Sequence, residues 1–209
     1  MAVLAMFPLG SVLLPGGVLP LHVFEPRYRQ LVVDCLAAPD EPEFGVTMIE
    51  RGWEVGGGDQ RADVGVVARI ARVDALEGGQ YSVVAIGTRR IRVNAWLPDD
   101  PYPLADVDDW PDRNPDAAEL PDRVRAGLDR VRQLLELAAQ VGELVGDVDD
   151  VDLTVSEDAL LASYHLAALA PIGPADRYRL LCAPSPSERL DALGEALDDV
   201  EAMLRFRMT

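Results

Sequence analysis

The sequence predicts an α+β protein, with a β-rich first half over residues 1–110 and a four-helix bundle over 111–209, and three observations carry that reading. The first 96 residues break into short runs rich in Val and Ile, separated by Gly, Pro and Asp, which is the texture of strands and turns. Beyond residue 116 the apolar residues recur at helical spacing. Between them, Leu97–Asp116 holds five prolines and seven aspartates, a composition that suits an extended connector.

In chain order, strands are expected at Val3–Phe7, Val18–Phe24, Phe44–Glu50, Val64–Val73, Tyr81–Ile86, Arg90–Trp96 and Leu104–Val107. One helix interrupts them: Pro26 in its first turn and Tyr28, Leu31, Val32, Cys35 and Leu36 at helical spacing mark it, and Pro39 closes it. Arg69, Arg72, Arg89, Arg90 and Arg92 interleave with Val, Ile and Ala, as in strands that bury one face and wet the other. In the second half, Leu120, Val124, Leu128, Val131, Leu135 and Ala138 form one stripe. A second helix runs from Thr154 or Ser156 to Ala170, with Thr154-x-x-Glu157 as its capping box, and a short third lies near Ala175–Cys182. Ser185-Pro186-Ser187-Glu188 reads as an N-cap serine, a proline at N1 and a glutamate at N3, followed by the stripe Leu190, Leu193, Leu197, Val200 and Leu204. Amphipathic helices joined by short turns bury their stripes on one another.

The 209 residues are 49% hydrophobic and 26% charged, an ordinary globular balance. All 19 basic residues are arginine, in keeping with a GC-rich coding sequence. A net charge of −17 disfavours nucleic acid and anionic membranes as partners. The charge is uneven: 9 arginines against 11 acids before residue 97, net −2, and 10 against 25 after it, net −15. Residues 1–24 carry no charge, but Pro8, Pro15 and Pro20 break any helix there and no basic region precedes them, so neither a membrane span nor a secretory signal is expected. Cys35 and Cys182 are far apart and flanked by leucines, as buried free thiols of a reducing cytoplasm are.

The absence of lysine excludes a P-loop, a serine-lysine dyad and a Schiff base. Gly56-Gly57-Gly58 lacks GxGxxG spacing and reads as a hairpin loop. The histidines, His22 and His165, accompany no GxSxG elbow. Asp147, Asp149, Asp150 and Asp152 fail as a calcium loop, since Asp152 stands where glycine is required and Asp158 where a glutamate belongs. No catalytic residue, metal site or cofactor is expected. Trp53, Trp96 and Tyr102, in or beside loops, and Arg90, among the interleaved arginines, are the candidate peptide-binding residues, because aromatics and arginine anchor partners.

The β half also carries a recognisable pattern. Phe7-Pro8-Leu9, Leu14-Pro15-Gly16 and Leu19-Pro20-Leu21-His22-Val23-Phe24-Glu25-Pro26-Arg27-Tyr28 resemble the opening of the Lon protease N-terminal, substrate-binding domain. Val64–Ile70, Gly87–Val93 and Tyr102–Val107 continue the resemblance in family order, and Arg189-Leu190 lies in what resembles the family's helical subdomain. Leu14 departs from it, standing where the pattern has phenylalanine. The resemblance implies a PUA-like pseudobarrel followed by a helical bundle, and a non-enzymatic cytoplasmic module that binds unfolded or degron-bearing proteins through exposed apolar segments. The downstream ATPase and protease domains of complete Lon proteases lie outside a sequence that stops at Thr209. The alternative is an adaptor whose acidic bundle docks on a basic partner such as a protease complex. RNA binding, suggested by PUA-like folds, is opposed by the charge.

Overall fold

The computed structural model describes residues 2–52, 60–142 and 151–208. Two compact units divide the chain, Met1–Pro111 and Asp112–Thr209.

The first unit is built on six strands: β1 (Ala2–Leu9), β2 (Val18–Val23), β3 (Glu43–Arg51), β4 (Gln60–Ala75), β5 (Tyr81–Leu97) and β6 (Leu104–Asp109), with helix α1 (Pro26–Ala37) between β2 and β3. They run in the order β2-β5-β4-β3-β1-β6, and β5 also pairs with β6, so the sheet closes on itself. The β1–β3 pair is parallel and the others are antiparallel. Closure demands strong coiling, which the register shifts at Val66/Ala68 and Ile70/Arg72 between β4 and β5 supply. Inside, Met6, Val67, Ile91, Val93, Ala105 and Val107 form a core against which Leu4 and Trp96 pack. α1 lies on the barrel through Tyr28, Leu31, Val32 and Cys35, with the Tyr28 ring stacked on Phe7 at 4.0 Å. Pro26 starts this helix as expected.

One expectation about the strands changes. The runs Tyr81–Ile86 and Arg90–Trp96 are one 17-residue strand, because the glycine between them is not a break. Gly87 exchanges backbone hydrogen bonds with the Leu14–Gly17 loop, accepting from Gly16 N–H (2.8 Å) and donating to Gly17 O (2.9 Å). A Cβ at this position would stand 2.4 Å from the Leu14 carbonyl oxygen, so the crossing needs glycine. The strand expected at Leu104–Val107 is present within the aspartate-rich connector as β6, Leu104–Asp109, held between β1 and β5.

In the second unit the helices are α2 (Leu120–Gln140), α3 (Ala159–Leu169), α4 (Pro174–Leu181) and α5 (Pro186–Arg207). The expected stripes are buried at Leu120, Val124, Val131, Leu135 and Ala138 of α2 and at Leu190, Leu193, Leu197 and Leu204 of α5. Ser185 caps α5, its Oγ accepting from Glu188 N–H at 3.2 Å. The start of α3 differs from expectation: its N-cap is Asp158, which accepts from Leu161 N–H, and Thr154 and Ser156 precede the helix. Arg189 of α5 is wholly buried and ties the unit together. It pairs with Asp112 (2.6 Å) and donates to Tyr164 Oη (2.7 Å), Ser163 Oγ (2.8 Å) and Leu180 O (3.2 Å), while Tyr164 Oη donates to Asp112 (2.7 Å). No helix among the described residues is long and apolar enough to cross a membrane.

Candidate functional site

The first unit carries an open groove of about 580 Å³ between the first half of β1 and the end of α1. Val3, Leu4 and Ala5 form one wall, Asp34, Cys35 and Ala38 another, Asp40, Glu41 and Glu43 the approach to β3, and Tyr102 closes one side from the β5–β6 turn. The size is within the range of ligand clefts, roughly 300–1,000 Å³. The chain reaches this arrangement because Pro39 and Pro42 bracket a segment too short to do more than return from α1 to β3, which leaves its acids around the cleft.

The polar groups of the groove form a definite set. Tyr102 Oη donates to Asp34 Oδ2 at 2.8 Å, and Gln30 Nε2 donates to Asp34 Oδ1 at 2.7 Å. Arg89 grips Glu43 with both Nη atoms, at 2.7 and 2.6 Å, and its Nε donates to Asp109 at 2.9 Å. Arg69 stands 3.9 Å from Glu41. Burial pushes the Cys35 thiol up to about 11, with Asp34 and Glu43 adding to it, and its Sγ donates to Glu43 O at 3.3 Å. Burial also raises the Tyr102 phenol to about 12, helped by its bond to Asp34. A thiol held protonated in this way is a poor nucleophile.

Of the four residues the sequence singles out, Tyr102 alone lines this groove. Trp53 lies outside the described residues, as do Gly56–Gly58 and Asp147, Asp149 and Asp150. Trp96 is half-buried against the barrel core, beneath the Arg61 guanidinium at 4.7 Å. Arg90 corrects the expectation of an accessible arginine: it is 3% exposed. It occupies an outward position of β5, but Trp110 lies over its guanidinium at 4.4 Å and takes Arg92 at 4.2 Å. Trp110 sits 20 residues along, in a segment read as connector, so no local pattern foretells the contact. Asp34, Cys35 and the Asp40–Glu43 acids were missed as a site; their one visible signal is the proline-bracketed acidic run directly after a helix.

The histidines are placed structurally. His22 is exposed and its Nε2 lies 2.6 Å from Gln80 Oε1, while His165 Nδ1 accepts from Ser156 N–H at 3.1 Å. The described residues contain no group of His, Cys, Asp and Glu able to hold a metal ion.

The model of the ATP-dependent protease La (LON) substrate-binding domain family matches residues 3–199. A Lon protease of Anaeromyxobacter dehalogenans (strain 2CP-C) is 36% identical over 115 residues, which are 54% of this chain and 13% of that protein. The chain therefore spans a small part of that relative's length. Among solved structures, a Lon N-terminal domain protein from Xanthomonas campestris superposes with a TM-score of 0.62 at 28% identity, covering 92% of this chain and 97% of that one. The N-terminal domain of a Mycobacterium avium complex Lon protease gives 0.64 at 19% identity, covering 95% and 99%, a likeness of fold.

Proposed function

This chain belongs to the ATP-dependent protease La (LON) substrate-binding domain family, and on that premise we propose that it is a non-enzymatic recognition module that engages exposed apolar segments of unfolded or degron-bearing client proteins. The family match carries the reading, and the groove beside β1 supports it. Val3 is 63% exposed on the groove wall, so apolar surface is offered where a client would lie. Tyr102 is the sequence-selected residue positioned to touch it. Trp96 is a further contact residue in this proposal, and Arg90 serves it indirectly by holding Trp110, while Trp53 lies outside the described residues.

The test is capture of a chemically unfolded, fluorescently labelled protein by the immobilised chain. Enrichment over an unrelated acidic protein, reduced by Tyr102→Ala, is the expected result; capture no better than the control overturns the reading.

A second reading has an observation of its own, the net charge of −15 after residue 96. An acidic helical unit would dock on a basic partner, such as a protease complex, and would do so in a salt-dependent way. Several of its acids already hold arginines of the same unit, Asp191 with Arg123 (2.5 Å) and Asp198 and Glu201 with Arg130, which favours the first reading. Loss of partner binding on Asp199→Asn with Asp129→Asn, with client capture intact, would support the adaptor role.

A further inference from the structure

The ladder partners of β1 change halfway along it. Met6–Leu9 pair with β3, whereas Ala2–Ala5 pair with β6 alone, because β3 begins only at Glu43 and its first partner across the pair is Gly45, opposite Met6. Met6 N–H donates to Pro103 O at 2.8 Å, so Met6 faces β6. Facing alternates along a strand, hence Leu4 and Ala2 also face β6, and Val3 and Ala5 turn their N–H and C=O groups to the opposite edge. That edge is the wall of the groove.

An unpaired edge is a template for another strand unless it is blunted. β2, whose outer edge has no partner strand among the described residues, is blunted by Pro20. The first half of β1 holds neither proline nor charge: it reads Ala2-Val3-Leu4-Ala5.

The charge of the groove selects the occupant. Glu43 is neutralised by Arg89 and Glu41 faces Arg69. Asp34 accepts from the neutral groups of Tyr102 and Gln30, and no cation is paired with Asp34 or Asp40 among the described residues. The negative potential registers on its neighbours, since Asp34 contributes to the raised values of both Cys35 and Tyr102. A second copy of this chain is a poor occupant: it carries −17, and pairing two β1 edges would bring the same carboxylates together.

We propose that the first half of β1 is an open sheet edge that accepts an extended apolar segment of a client protein bearing arginine or lysine, with Val3 supplying backbone hydrogen bonds and Asp34 and Asp40 receiving the cation. The inference rests on the recognition reading and specifies its client chemistry. Backbone pairing supplies affinity without regard to sequence, and the acids select among clients.

The test uses the full chain and fluorescent peptides alternating valine with lysine, read by anisotropy. Three sibling peptides carry glutamate for lysine, glutamine for lysine, or N-methylated amides that cannot donate. The lysine peptide should bind about tenfold tighter than the glutamate sibling and lose about tenfold on N-methylation. Asp34→Asn with Asp40→Asn should weaken the lysine peptide about tenfold and leave the glutamine sibling unchanged. Because N-methylation alters the peptide and not the protein, misfolding cannot mimic its effect. Equal binding of the lysine and glutamate peptides, or indifference to N-methylation, overturns the inference. If no peptide binds while unfolded protein is still captured, the edge falls and the recognition reading stands; if neither binds, both fall.

Discussion

Tyr102 and Cys35 show at the scale of single residues how the groove stores its charge. Each binds its proton more tightly in the folded state, Cys35 rising from 9.0 to about 11 and Tyr102 from 10.0 to about 12. Groups raised in this way lend stability that is whole below the ordinary value and lost as pH climbs through the raised one. The thermal midpoint is therefore expected to fall as pH goes from 9.0 towards 12, with Cys35→Ser removing the lower part of the fall and Tyr102→Phe the upper. A midpoint titration on the three proteins checks this, and identical curves would refute it. Tyr102 was legible as a loop aromatic. Its partner Asp34 was not, because 68 residues separate them and only folding joins them. Arg90 is the converse case: alternation along β5 correctly places it outward, and Trp110 then buries it from above.

Elements were read well where their signals are local. The α5 cap, with serine, proline and glutamate in fixed order, is such a signal, and the structure makes the Ser185 bond it implies. The start of α3 misled because several capping residues crowd the same stretch, and only packing decides that Asp158 takes the N-cap. Gly87 misled for a different reason. Glycine in a strand signals either a break or a close approach of backbone, and the approaching Leu14 carbonyl lies 73 residues earlier. Gly87→Val forces that oxygen and β5 apart, so a loss of about 1–3 kcal/mol is expected in urea denaturation. Val66→Ala, truncating a buried neighbour without touching the crossing, serves as comparison: it should leave protection of the Gly16 amide from hydrogen exchange intact where Gly87→Val removes it. Unchanged stability of Gly87→Val would mean the crossing is not needed.

For the whole molecule, the two compact units and the Arg189 network suggest separate folding. We propose that each unit has its own cooperative core. Arg189→Met leaves Asp112 buried at 6% side-chain exposure without its cation, and removing one partner of such a pair costs about 3–5 kcal/mol. Hydrogen exchange should show α3, α4 and α5 deprotected in this variant while the β4–β5 amides keep their protection. Loss of protection throughout would show that the units unfold as one. By itself, the sequence determined the order of elements, the division into a β-rich and a helical half, the exclusion of lysine-dependent chemistry and the family, because periodicity, capping and residue inventory are properties of short windows. Tertiary structure alone decided the closure of the sheet through β5 and β6, the burial of Arg90 and the half-paired β1 beside its acidic groove. Those depend on register and on contacts between residues far apart in sequence, and no local pattern encodes where β3 begins relative to β1.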